Sequence, residues 1–159
     1  MSKSPHLWIR RADPPDVDAV RSLVREAYAQ WIPVIGREPL PMKADYEKAV
    51  RRHEIDLLYA DESLVALIEV FLTDDHLFIE NIAVSPKHQG KGLGHHLLNH
   101  AETKAKGVGM GEMRLLTNQA FATNVRLYQS VGFRIDRTEP HSGGGTTVYM
   151  SKDLAGGES

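Results

Sequence analysis

Glu80-Asn-Ile-Ala-Val-Ser-Pro-Lys-His-Gln-Gly-Lys-Gly-Leu-Gly-His-His-Leu-Leu98 is the stretch that decides the fold. Its first part reads as a strand: His76 to Val84 is rich in Phe, Ile, Val and Leu, and Ser85-Pro86 ends the ladder because proline has no N–H to donate. Its last part reads as a helix, with Leu93, Leu97, Leu98, Ala101 and Ala105 on one face at helical spacing. Between them, Gln89-Gly90-Lys91-Gly92-Leu93-Gly94 lets the backbone pass close to a ligand and turn its N–H groups outward. The first helical turn adds unpaired N–H groups and the positive end of the helix dipole. Strand, glycine turn and helix together predict a phosphate or pyrophosphate site.

Two familiar nucleotide motifs fail on spacing. In Gly-x-Gly-x-x-Gly, Gly90 and Gly92 fit, but the third place falls on His95. A P-loop needs Ser or Thr after Gly-Lys, and here Gly92 follows Gly90-Lys91. A tight glycine turn without a ligand is the plainer alternative for these six residues alone.

Gln89-x-x-Gly92-x-Gly94, preceded by Ile82-Ala83-Val84, resembles the acyl-CoA-binding motif of the GNAT superfamily of N-acetyltransferases. A second segment, Asn124-Val125-Arg126-Leu127-Tyr128 followed by Gly132-Phe133, is similar to another stretch of that family. The resemblance runs from Ser63 to Leu154. It implies acetyl-CoA as co-substrate, held by Ile82, Ala83 and Val84 through pantetheine amides and by Gln89, Gly90, Lys91, Gly92, Leu93, Gly94 and His95 at the pyrophosphate. Lys91 would add a charge near phosphate, or stand in solvent. The family commonly carries Asn at the place of Phe121, so Asn118 and Asn124 both stand as candidates to meet the pantetheine.

Acetyl transfer to an amine needs a base for the ammonium, a donor for the carbonyl oxygen and a proton for the departing thiolate. Strand alternation puts Glu80 on an apolar face with Phe78, Ile82 and Val84, where desolvation would raise its pKa. The resemblance makes Glu80 the base; its alternative is a structural carboxylate paired with an arginine or capping backbone N–H groups. The resemblance likewise makes Tyr128 the acid, against a core tyrosine packed beside Phe133. Tyr28, Trp31 and Arg37 are acceptor-side candidates, the last two in the apolar, proline-rich stretch Trp31 to Met42. Arg37 suits a carboxylate and hence an amino acid, whereas Glu38 or Asp45 suits a polyamine or aminoglycoside.

The 159 residues predict one domain over 1–154 and a frayed tail over 155–159. A net charge of −2 without a basic run excludes a general nucleic-acid binder. No apolar run approaches a membrane span, no signal region opens the chain, and cysteine is absent, so the expected location is cytoplasmic and disulfides are excluded. No metal is expected: His96 and His100 lie one turn apart, but no Glu follows His96, and a solvated helix face accounts for them better. The expected partner is a small-molecule or peptide amine, with no nucleic acid or membrane, and a homodimer is left open.

Along the chain the patterns predict β-α-α-β-β-β-α-β-α-β-β: an α+β fold with a mixed, mostly antiparallel sheet and helices on both faces. The resemblance implies the same order, with the strands ending near Val84 and Asn118 splaying apart to admit the cofactor. The function expected is direct acetyl transfer in a ternary complex, since no cysteine or Ser-His-Asp spacing offers a nucleophile. A non-catalytic acyl-CoA-binding module is the rival, and it would need neither Glu80 nor Tyr128.

Overall fold

The computed structural model describes residues 4–141 and 144–154. The tail expected over 155–159, and Ser142 and Gly143 of the expected hairpin loop, lie outside the described residues. Seven strands form one sheet: β1 (Leu7–Arg11), β2 (Glu54–Ala60), β3 (Ser63–Leu72), β4 (Leu77–Val84), β5 (Glu112–Asn118), β6 (Arg134–Pro140) and β7 (Thr146–Asp153). Their spatial order is β1-β2-β3-β4-β5-β7-β6. Neighbours pair antiparallel except β4 and β5, which are parallel because a helical crossover joins them. The sheet is mixed and mostly antiparallel, as expected.

Two layers of helix cover it. Val17, Val20, Leu23, Val24, Ala27 and Tyr28, at helical spacing, are the buried face of α1 (Val17–Tyr28). It packs with Tyr46 of α3 (Tyr46–Arg52) against Leu57, Leu67 and Ala83 on one side of the sheet. On the other side, Leu97, Leu98 and Ala101 of α4 (Leu93–Gly107) pack on Leu58, Ile68, Met113 and Met150. Leu67 and Ile68 are adjacent in β3 and fully buried on opposite faces, as befits a strand covered on both sides. Truncating Leu97, which has no exposed surface, would cost about 2–5 kcal/mol.

Two local expectations need correction. The proline-rich stretch holds a short helical turn, α2 (Ile32–Ile35), and a 3-10 turn at Leu40–Lys43; Pro33 can enter α2 because an N–H is not needed there. α2 ends at Gly36 with φ 76°, a left-handed turn that glycine makes without strain. His100 is not on a solvated face. Its Nε2 lies 2.7 Å from Asp56 Oδ2, and Asp56 also accepts from Lys104 Nζ at 2.8 Å and Arg11 Nε at 2.8 Å. Burial opposes the Asp56 charge, but those three partners outweigh it and hold the carboxyl well below the usual carboxylate range. The cluster ties β1, β2 and α4 together on the side away from the glycine turn.

Candidate active site

The site begins where two strands stop pairing. β4 and β5 are in register only at Leu77 with Met113, Phe78 with Arg114 and Ile79 with Leu115. Beyond those pairs they part, and a gap opens beside the second half of β4. The Ser85 N–H donates to the Val65 carbonyl of β3 at 2.8 Å. Counting back by the period of two, Ala83 also turns its backbone groups to β3, and Ile82 and Val84 turn theirs to the gap. Their carbonyls already have partners: Ile82 accepts from Tyr28 Oη at 3.1 Å and Val84 from Gln89 Nε2 at 3.2 Å. The N–H groups are what the gap offers to an extended ligand.

One side of the gap is a cleft of about 480 Å³. Ile82, Ala83 and Val84 form one wall, the turn from His88 to His95 another, and Thr123, Asn124 and Leu127 of α5 (Ala122–Ser130) a third. Gly90 and Gly92 sit at φ 79° and 80°, which side-chain-bearing residues rarely adopt, and Gly92 caps α4. Gly94 has a different task. A Cβ there would stand 2.7 Å from Leu127 Cδ2, so glycine lets α4 and α5 approach. Leu93 lines the cleft while its side chain is buried in the core. Lys91 is exposed and stands outside the lining. The His95 Nε2 lies 2.9 Å from Ser130 Oγ.

His88, which sequence reasoning passed over, contributes to this cleft a buried Nδ1 with no hydrogen-bond partner. An orphaned buried nitrogen, outward N–H groups and a helix N-terminus together fit a polar, anionic ligand such as the pyrophosphate and pantetheine of an acyl-CoA.

Tyr28 separates this cleft from a second cavity of about 320 Å³, and it lines both. Its hydroxyl lies 2.7 Å from Asn81 Oδ1. Asn81 Nδ2 donates to Tyr46 Oη at 3.2 Å, and Tyr46 donates to the Pro41 carbonyl at 2.7 Å. This buried chain joins α1, β4, α3 and the proline-rich connector. It also satisfies Asn81, which sequence reading did not single out although a buried amide in a strand demands partners.

Glu80 lies in this second cavity, but not by simple alternation. Glu69 pairs with Asn81 and Val70 with Ile79, so Glu80 is the extra residue of a β-bulge. Ile79 and Ile82 therefore both face α4, while Asn81 reaches Tyr28 and Tyr46 on the α1 side. The expectation that Glu80 shares one regular face with Phe78, Ile82 and Val84 is thus corrected: the bulge breaks the period of two. Among the described residues Glu80 has no hydrogen bond and no ion pair, so it is not the arginine-paired structural carboxylate of the alternative reading. Burial pushes its carboxyl up, the nearby Glu69 charge pushes it further, and His53 opposes both.

Glu69 was missed altogether. It is buried in β3, lines the same cavity, and meets His53 Nδ1 at 2.6 Å. Burial raises its carboxyl and His53 works against that rise. The signal was present in the sequence: one carboxylate between Ile68 and Val70, inside a strand apolar on both faces.

Tyr128 lines this cavity too. Its ring packs edge-on to Phe133 at 5.9 Å, as the core reading requires, yet its hydroxyl makes no hydrogen bond among the described residues. Burial raises the phenol well above its ordinary range, so it stays protonated and can donate. The two asparagines take different sides. Asn118 lines the second cavity and accepts from the Ala120 N–H at 2.8 Å, whereas Asn124 lines the glycine cleft.

The acceptor-side candidates divide as well. Arg37 lines the second cavity and reaches the Gly144 carbonyl at 3.4 Å. Trp31 instead lines the glycine cleft and packs on Phe121 at 4.9 Å. The two polyamine cues are already engaged: Glu38 pairs with Arg25 at 2.9 Å, and Asp45 caps α3 by accepting from Glu47 and Lys48.

Residues 18–133 match the family model described as Acetyltransferase (GNAT) family. The chain belongs to that family. The GNAT stretch includes the bulge, the glycine turn and Tyr128. Among curated relatives, it is similar to streptothricin acetyltransferase of Streptomyces lavendulae, 37% identical over 60 residues, covering 38% of this chain and 32% of that one. It is also similar to the [ribosomal protein bS18]-alanine N-acetyltransferase of Escherichia coli (strain K12), 37% identical over 68 residues, covering 43% of this chain and 45% of that one. The match thus spans less than half the length of these curated relatives.

Solved GNAT structures share the fold along nearly the whole chain. The ribosomal-protein-S18-alanine N-acetyltransferase from Escherichia coli superposes with a TM-score of 0.76 at 21% identity, covering 94% of each chain. The PaiA N-acetyltransferase from Thermoplasma acidophilum, in complex with coenzyme A, superposes with a TM-score of 0.79 at 20% identity, covering 93% of this chain and 99% of that one. Among the described residues no group of three or more His, Cys, Asp or Glu could hold a metal ion, and no helix is long and apolar enough to cross a membrane.

Proposed function

We propose that this GNAT chain is a cytoplasmic N-acetyltransferase that passes an acetyl group from acetyl-CoA directly to a primary amine, with both substrates bound together. The observation that carries the reading is the pairing of two unengaged groups on one cavity. Among the described residues Glu80 has no hydrogen-bond or ion-pair partner for its carboxylate and Tyr128 no hydrogen-bond partner for its hydroxyl, and both line the space beside the β4–β5 gap. A module that only bound acyl-CoA would need neither.

Bound in the glycine cleft, acetyl-CoA supplies an activated thioester. The backbone N–H groups of Ile82 and Val84 face the gap and suit the carbonyl oxygen as it gains charge. Glu80 takes the proton that the ammonium must lose before its nitrogen has a lone pair. Its raised carboxyl makes it a stronger base than an ordinary glutamate once ionised. The new C–N bond forms as the C–S bond breaks, and Tyr128 donates to the departing sulfur. Because burial raises the phenol, Tyr128 serves first as a hydrogen-bond donor, with the proton following as the thiol forms. With no cysteine in the chain, no thiol nucleophile competes with direct attack.

An amine panel assayed for CoA release tests the reading. The expected result is amine-dependent release, and intact mass after acetyl-CoA alone should show no acetylated enzyme. A stoichiometric acetyl-enzyme that passes its acetyl group to an amine would overturn direct transfer.

A further inference from the structure

We infer that the acceptor is a small zwitterion: a primary amine joined through an apolar body to a carboxylate, with the amine at Glu80 and the carboxylate at Arg37. The inference rests on the acetyl-transfer reading above and narrows its acceptor.

Three residues of fixed charge type line the acceptor cavity: Glu69, Glu80 and Arg37. Glu69 is engaged with His53 at 2.6 Å. That leaves one carboxylate and one guanidinium without an oppositely charged partner among the described residues. Arg37 has a neighbour of the right sign in Glu38, but Glu38 is turned to Arg25. The left-handed turn at Gly36 ends α2 and brings Arg37, half-buried, to the cavity beside the turn between β6 and β7. Its one hydrogen bond there among the described residues, to Gly144 O at 3.4 Å, uses one of the five donors of the guanidinium.

Filling the cavity removes water from both charges. An uncharged acceptor tail would leave the guanidinium desolvated and unpaired, and a second ammonium would be repelled by it. A carboxylate meets the planar fork with two parallel hydrogen bonds. The rest of the lining is largely apolar, with Ile35, Pro41, Ile79, Leu115 and Phe121, and suits a hydrocarbon body. The cavity therefore offers an anionic group for the amine, an apolar wall for the body and a cationic group for the far end.

The test uses pairs of acceptors matched in length, each pair an amino acid and the plain alkylamine lacking its carboxylate, over a series of spacings. At the best spacing the carboxylate should raise kcat/KM about ten- to a hundredfold, through KM rather than kcat. In Arg37→Met that ratio should fall to about one, in Arg37→Lys it should recover in part, and in Arg37→Glu it should fall below one, in favour of the plain alkylamine. Acetyl-CoA affinity, read by calorimetry, reports that each variant is folded.

A parallel measurement separates this proposal from the activity. The N-acetylated member of each pair is titrated into the CoA-bound protein. Tighter binding of the acetylated amino acid, lost in Arg37→Met, supports the site even if no amine in the panel turns over. Equal binding and equal kcat/KM of both members at every spacing, or equal losses for both in Arg37→Met, would overturn it.

Discussion

The two halves of this site are drawn from the chain in different ways. The glycine cleft takes most of its lining from one contiguous stretch, Ile82 to His95, with the end of α1 and the start of α5 closing it. The second cavity gathers its lining from α1, the proline-rich connector, α3, β3, β4, β5, α5 and β7. The first needs particular φ angles and glycines. The second needs particular charges held at particular depths. A site of the first kind binds what many chains bind, because N–H groups and a helix end recognise phosphate whatever the surrounding side chains are. A site of the second kind carries selectivity, because its few charges must be matched by the ligand.

Substitutions should therefore separate the halves cleanly. Glu80→Gln is expected to have the largest effect, a fall in kcat of about 10²- to 10⁴-fold, with acetyl-CoA affinity unchanged by calorimetry. Wild-type turnover with an unaltered pH profile in that variant would make Glu80 a structural residue. Tyr128→Phe keeps the ring on Phe133 and removes only the hydroxyl; turnover should drop on the order of a hundredfold while the melting temperature holds. Equal losses of stability and activity would return Tyr128 to the core.

Gly92→Val attacks the other half. The left-handed φ of 80° there disfavours any side chain, although no heavy atom stands within 4 Å of where its Cβ would sit. Acetyl-CoA should bind about tenfold more weakly or worse, a ligand contact at a helix terminus being worth roughly 1–2 kcal/mol. Unchanged affinity in the folded variant would move the pyrophosphate elsewhere.

The smallest expected effect is also the most selective. Glu69 raises Glu80 and His53 lowers it, so the two variants should shift the pH profile in opposite directions. Activity requires Glu80 ionised, so kcat/KM falls as pH drops through its raised pKa. In Glu69→Gln that acid limb should move to lower pH, because a repelling charge is gone. In His53→Gln it should move to higher pH, because an attracting charge is gone. Parallel losses with no shift in either variant would make the Glu69–His53 contact purely architectural.

The cofactor half was legible in the sequence because its requirements are local. Glycines at positive φ, a proline that ends a strand and leucines at helical spacing all act within a few residues of one another. Gly92 and Gly94 both line the cleft, and a Cβ on Gly94 would meet Leu127. Lys91 showed the limit of local reading: it belongs to the motif but stands outside the cleft lining.

What the sequence determined by itself was the order of the strands and the longer helices, the glycine turn and the residue types a transfer reaction needs. These follow from periodicity and backbone sterics, which act along the chain. The tertiary structure decided which charges meet. Only the bulge opposite Glu69 and Val70 puts Glu80 in the acceptor cavity and gives it Glu69 as a neighbour, and one unpaired residue in a ladder leaves no mark on hydrophobic pattern. It sent Trp31 and Asn124 to the cofactor side and Arg37 and Asn118 to the acceptor side, because the parting of β4 from β5 lies between residues remote in sequence. It occupied Glu38 and Asp45 elsewhere and, among the described residues, left Arg37 without a carboxylate. Charge pairing acts through space and depends on burial, so it is settled only when the chain has closed around the site.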